Sequence, residues 1–301
     1  MRSSGCCRRL LRGLELETNP PPRRLLAQLH PSGQTSNTKT PTLNGCPMLE
    51  TVDQFKQFGR IVLQEYLYAS RELALLEAMD SPAVASSINS LGIGSSANAV
   101  LYALLTSLLG RVWSLALDRD HRSASLYQCR CLLQQDGLLN QLRSEFAEFD
   151  EASIAVIDED RGRSAHASRL REDISRHMSL GLVAQFEETV EVLRGDFLPG
   201  LLASREALLI NNARSKVMAH NDMTLGDDGL VRLMVLADFG IRHEDIRLLM
   251  TRIRRVVSEI FLISNRGHFV LEVSESRHRT EASEFWSSFE HAAGKRDQAH
   301  G

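Results

Sequence analysis

Asn211-Asn212-Ala213-Arg214-Ser215-Lys216-Val217-Met218-Ala219-His220-Asn221-Asp222 closes a helical segment that begins at Leu201. It sets an Arg, a Lys, a His and an Asp at one place, where apolar helical spacing gives way to a polar stretch. The glycine-bearing run from Asn221 to Gly229 then predicts a loop. On the far side, Glu244 to Ile263 is amphipathic through Ile246, Leu249, Ile253, Val256, Val257 and Ile260. On the near side, Leu170 to Leu193 carries Ile174, Met178, Leu182, Phe186, Val190 and Leu193 on one face, and Phe197-Leu198-Pro199-Gly200 is expected to break it. Helical periods thus surround the motif on both sides.

The same period extends to the start of the foldable region. Val52, Phe55, Phe58, Val62, Tyr66, Leu73 and Leu76 follow three- and four-residue steps until Ser81-Pro82. Ala97 to Leu117 reads as a buried helix lined by Leu101, Leu104, Leu105, Leu108 and Val112. The preceding Gly92-Ile93-Gly94-Ser95-Ser96 lacks the Lys and the strand of a phosphate loop, so a linker is expected. A short helix is predicted over Ala124 to Gln134, and Leu138 to Ile157 continues in helical phase before the charged run Asp158 to Arg163. Val231 to Leu236 fits a short strand or an apolar helical turn, and His268 to Val273 alternates like a strand. With 43% hydrophobic but only 6% aromatic residues, the core is aliphatic, which suits helix-on-helix packing. The expected fold class is all-α, an up-and-down helical bundle.

The two ends differ from this middle. Pro20, Pro21, Pro22, Pro31, Pro41 and Pro47 lie before Met48, together with Arg-rich, core-poor sequence, so residues 1–47 are expected to form a disordered extension, or to precede the true start. Residues 48–294 make the helical domain, and 295–301 a frayed tail. Arg2, Arg8, Arg9 and Arg12 break the apolar residues near the N-terminus too often for a secretory signal, and no unbroken apolar run approaches the ~20 residues of a membrane span. A cytoplasmic protein without membrane contact is expected. Cys6, Cys7, Cys46, Cys129 and Cys131 follow no zinc spacing, and residues two positions apart on a helix point about 200° apart, so Cys129 and Cys131 cannot share a metal. His166, His177 and His243 are scattered at the spacing of solvated faces; no metal and no cofactor are expected. The net charge of −3 offers nucleic acid no global attraction, so any RNA contact needs a local basic patch. Arg247, Arg252, Arg254 and Arg255 are one cluster, read as a charged outer face before an RNA track.

The pattern Arg214-x-Lys216-x-x-Ala219-His220-x-Asp222 resembles the Arg…His signature of the HEPN superfamily, and within it the AbiU-type abortive-infection branch. A second segment is similar to the same branch: Leu109-Gly110-Arg111-Val112-Trp113, then Asp118-Arg119-Asp120, then Ser123-Ala124-Ser125-Leu126, with Ser114 where the branch usually carries Asp. The resemblance implies a HEPN-like bundle acting as a metal-independent ribonuclease in phage defence or toxin–antitoxin growth arrest. RNA would be the substrate, a homodimer the working form and an antitoxin a partner. It further implies Arg214 and His220 as catalytic residues, with Ser215, Lys216, Asn221 and Asp222 supporting them or binding substrate. Ser215 departs from the Asn, Asp or His that active members often carry there. A non-catalytic module that binds RNA, a nucleotide or a protein partner is the alternative.

The chemistry suits those residue types. Histidine exchanges protons near neutral pH, and the arginine fork stays charged and donates two parallel hydrogen bonds to a phosphate. The spacing raises a geometric condition. Six residues at 100° per step leave Arg214 and His220 about 120° apart on an ideal helix. Convergence therefore needs a distortion or an end of the helix near His220, or residues from two chains. Lys216 and His220, four apart, would share a face. Trp113 is expected in the core or an interface.

Overall fold

A computed structural model describes residue 49 and residues 51–148, 165–219, 223–225, 231–233 and 236–300. All belong to one compact unit, Cys46–Gly301. The expected N-terminal extension, the residues from 149 to 164 with the charged run, and His220, Asn221 and Asp222 lie outside the described residues.

The chain is an all-α helical bundle. Helix α1, Val52–Met79, starts at a capping box. Thr51 Oγ1 accepts from the Gln54 amide, and Gln54 Oε1 accepts from the Thr51 amide, both at 3.2 Å. Helix α2, Pro82–Leu91, has Pro82 at its first turn and ends at Gly92 with φ of 71°, a left-handed cap that glycine adopts without strain. The expected linker is thus a tight turn into α3, Gly94–Leu117. Helix α4 spans Leu126–Leu132 and α5 spans Asp136–Ala147.

Helix α1 is the central element. It packs on α3, on α9 (His243–Asn265) and on α10 (Leu271–His300). Leu249, Ile253, Val257 and Ile260 of α9 are completely buried. Each such side chain contributes about 1.5–3 kcal/mol, enough to fix the face that α9 turns inward. Helices α1 and α9 approach closely at Gly59, where an added Cβ would lie 2.2 Å from Ser264 Oγ.

Several expectations change. The alternating run at His268 to Val273 enters a helix, because Leu271 begins α10; only Leu271 is buried there, while Val270 and Val273 are exposed. Ala97 to Leu117 is buried at Ala97 and then toward its C-terminal end, through Leu108, Leu109, Val112, Leu115 and Ala116, whereas Val100 and Tyr102 are exposed. By length and composition this is the one helix among the described residues that could cross a membrane. Ser, Thr and Arg111 interrupt it, so no unbroken apolar run marks it in the sequence. In α6, Ala165–Val192, Ile174 and Met178 are likewise exposed, and Phe186 is the first buried side chain from residue 172 onward.

The break expected at Phe197 to Gly200 is absent. The chain widens into a π-helical turn, Leu193–Phe197, and continues as α7, Leu198–Leu202. The Leu198 amide donates to the Leu193 carbonyl, and Pro199 falls in the first turn of α7, where its missing N–H costs little. The segment ends at Ala203 instead, and Ser204 caps α8, Arg205–Ala213, accepting from the Ala207 amide at 3.2 Å. A two-stranded antiparallel ribbon, Met223–Leu225 with Val231–Leu233, is the only pairing of strands among the described residues, and a short 3-10 turn, Leu236–Phe239, precedes α9.

Candidate functional site

Helix α8 carries the motif into position. Its first turn is tied to α9: Arg205 Nη1 lies 3.4 Å from Oδ1 of the buried Asp245, whose Oδ2 accepts from the Arg242 amide at 2.9 Å. The neighbouring Glu206 is also buried, with Arg252 Nε 3.9 Å from its carboxylate. Ala207, Ile210 and Ala213 enter the core against α3 and α9, leaving Asn211 exposed toward solvent.

At Arg214 the helix changes form. From Arg214 to Ala219 the backbone winds as a π-helix. Such turns are rare and recur at functional sites. The guanidinium of Arg214 sits over the indole of Trp113, with Cζ 3.9 Å from the ring centroid. Trp113 Nε1 donates to Asn211 Oδ1 at 2.9 Å, so one indole grips two residues of the motif. The two stretches singled out in the sequence therefore meet, α3 supplying the ring and α8 with its π-helical extension supplying the cation.

No carboxylate of the described residues pairs with Arg214. Its neighbour Ser215 is half-buried and Lys216 is exposed. The structure thus brings Arg214, Ser215 and Lys216 onto one π-helical turn beside Trp113, and does not describe His220, Asn221 or Asp222. Trp113 and Asn211 are the members that sequence reasoning missed. A lone Trp at the end of an aliphatic stripe reads as core, and nothing local shows that its partner is about a hundred residues away.

The other sequence candidates are engaged elsewhere. Arg247 pairs with Glu77 at 2.9 Å, and Arg254 pairs with Glu275 at 3.1 Å and with Glu272, so most of the basic cluster on α9 is neutralised, as a charged outer face would be. His243 lies 3.5 Å from Glu77 and 3.8 Å from Asp80. The imidazole facing Glu77, followed by the Arg247 guanidinium, holds that carboxyl below its usual range against a desolvation that acts the other way. His177 is exposed, its Nδ1 3.1 Å from the Asp173 carbonyl. On α4, burial pushes the Cys129 thiol up. Among the described residues no group of three or more His, Cys, Asp or Glu is arranged to hold a metal.

Comparison with known proteins finds no matching family model and no significant match among curated proteins or solved structures.

Proposed function

We propose that the chain is a metal-independent endoribonuclease of HEPN type, acting in the cytoplasm in phage defence or toxin–antitoxin growth arrest. One observation carries the reading. Arg214 is held by the aromatic face of Trp113, and no carboxylate of the described residues pairs with it. Stacking leaves the edge of the guanidinium, with its fork of N–H donors, open to a phosphate. The π-helical turn at the same residue supports the reading independently.

In the proposed reaction a ribose 2′-oxygen attacks the adjacent phosphorus, forming the P–O2′ bond as the P–O5′ bond breaks. A base removes the 2′-hydroxyl proton, and an acid returns a proton to the departing 5′-oxygen. His220 is assigned to proton transfer and Arg214 to the charge that grows on the phosphate oxygens. Lys216, exposed on the same turn, adds attraction for the strand. One His and one Arg give limited chemistry, which is why a homodimer with a second set is the proposed working form. An antitoxin would act by covering this surface.

The test is purified protein on total RNA in the presence of chelator. Expected products end in a 2′,3′-cyclic phosphate and a 5′-hydroxyl. His220→Ala should lose roughly 10²–10⁴-fold in rate, the usual scale for a positioned acid–base group. Undiminished cleavage by His220→Ala, or a need for added magnesium, would sink the nuclease reading. Ser215 in place of the residues usual after the Arg favours a second reading, a non-catalytic module that binds RNA, a nucleotide or a protein through the same surface. RNA binding without cleavage by the parent protein would select it.

A further inference from the structure

We infer that the cleft beside Trp113 is a nucleotide subsite that holds one residue of a single-stranded RNA next to Arg214. The cleft has a volume of about 350 Å³ and lies between the end of α3, α4, α7 and the outer face of α8, with Arg119, Tyr127, Arg130, Leu202, Leu208 and Asn211 among its walls. That volume is at the lower end of small-ligand sites, roughly 300–1,000 Å³, which suits one nucleotide and not a dinucleotide cofactor.

The cleft is positively charged. Arg119 and Arg130 are both exposed, and no carboxylate of the described residues pairs with either. Arg111, Arg143, Arg247 and Arg254, by contrast, each have a carboxylate within 3.5 Å. Two guanidiniums on one cleft with no carboxylate partner among the described residues make a seat for an anion, and a phosphodiester matches their fork.

The cleft is also preorganised. The Arg119 carbonyl accepts from Nε2 of the fully buried Gln128 at 2.7 Å, and the Ser125 hydroxyl donates to the Asp118 carbonyl at 2.6 Å. The loop bearing Arg119 is therefore pinned to α4 from inside the core. Its guanidinium lies over Tyr127, 5.2 Å from the ring centroid.

Its walls mix apolar and polar surface. Leu208 is 56% exposed at the cleft, an apolar wall on which a base face can lie. Asn211 lines the same cleft while its Oδ1 accepts from Trp113, which leaves its amide N–H₂ to donate to a base carbonyl or a phosphate oxygen. Asn211 stands one helical turn before Arg214. Through Trp113, which contacts both residues, the cleft wall at Asn211 is joined to the Arg214 guanidinium. The inference rests on the RNA reading above for the source of the nucleotide, and its test does not depend on cleavage.

The probe is a 5′-fluorescein octamer of 2′-O-methyl uridine, which lacks the attacking hydroxyl, titrated by anisotropy with the full chain. Arg119→Gln with Arg130→Gln should weaken binding at least about tenfold. The salt dependence should become shallower by about 0.7 in log–log slope for each arginine–phosphate pair removed. Leu208→Asp, at an exposed position, should weaken it as well by replacing the apolar wall under the base with a charge of the same sign as the strand. Arg247→Gln, in the neutralised cluster, should leave affinity unchanged, and circular dichroism should match the parent throughout. If the parent binds the octamer and the double variant binds it equally well, the subsite is refuted, even where the parent cleaves RNA. If the double variant loses affinity while His220→Ala still cleaves at the parent rate, the subsite stands and the nuclease assignment fails. Binding of uridine monophosphate without binding of the octamer overturns the RNA source, and binding of neither overturns the subsite.

Discussion

Breaking the contact between Trp113 and Arg214 separates two effects that the structure superimposes. The indole face holds the Arg214 guanidinium, with Cζ 3.9 Å from the ring centroid, while Nε1 donates to Asn211. A cation–π pair contributes about 0.5–1 kcal/mol when exposed and about 2 kcal/mol when desolvated. Both residues here are half-buried, so about 1 kcal/mol is expected. The indole hydrogen bond contributes a further ~1 kcal/mol. Trp113→Phe keeps an aromatic face and removes the donor; Trp113→Leu removes both. A double-mutant cycle of Trp113→Leu with Arg214→Gln, read from urea unfolding, should return a coupling of about 1 kcal/mol. The same cycle with Trp113→Phe should keep most of that coupling. If Arg214 also serves the phosphate, loosening it by this amount should slow RNA cleavage by about fivefold, since 1.36 kcal/mol is a factor of ten. A coupling under about 0.3 kcal/mol would refute the claim that the ring positions the arginine, whatever the effect on activity.

Gly59→Ala should destabilise the bundle by about 1–3 kcal/mol in chemical denaturation, because its Cβ would lie 2.2 Å from Ser264 Oγ and force α1 from α9; unchanged stability would mean that the two helices are not in close contact there. Glu77 has a depressed carboxyl pKa in the fold, so its stabilisation is present above the ordinary value of 4.5 and is lost as pH falls through the lower, folded value. Glu77→Gln should therefore be less stable than the parent at neutral pH, and the gap should close on acidification; urea midpoints between pH 3 and 7 that stay parallel would contradict this. Cys129 is fully buried, and its thiol is pushed up by that burial, so peptide mapping after alkylation at pH 8 should find it unmodified until the protein is unfolded.

Helical periodicity was informative wherever a helix has one wet face and one dry face. The buried positions of α9, from Ile246 to Ile260, are those that its three- and four-residue spacing marks. Alternation misled at His268 to Val273. So short an alternation cannot separate a strand from a segment that leads into the first turn of a helix burying one side chain. The break expected at Pro199 also failed, because a proline is a stop only within an α-helical interior, and a π-helical turn ahead of it removes that conflict. Exposure of Val100, Ile174 and Met178 was illegible for a related reason: apolar spacing shows which face could be buried, and not whether another element reaches it.

For the site, sequence alone determined the residue types and their order: an Arg, a Ser and a Lys at the end of an apolar helix, suited to phosphate and followed by a His suited to proton transfer. It also set the condition that a regular helix leaves Arg214 and His220 on different faces. Only the tertiary structure decided what holds Arg214. The indole of Trp113 and the amide of Asn211 are adjacent because α3 and α8 pack together, and that adjacency arises from buried aliphatic surface, not from anything local to either segment. The cleft of Arg119, Tyr127 and Arg130 has the same origin. Its walls come from four helices, each of which individually shows an ordinary charged or apolar face, and the packing of the bundle turns those faces toward one space.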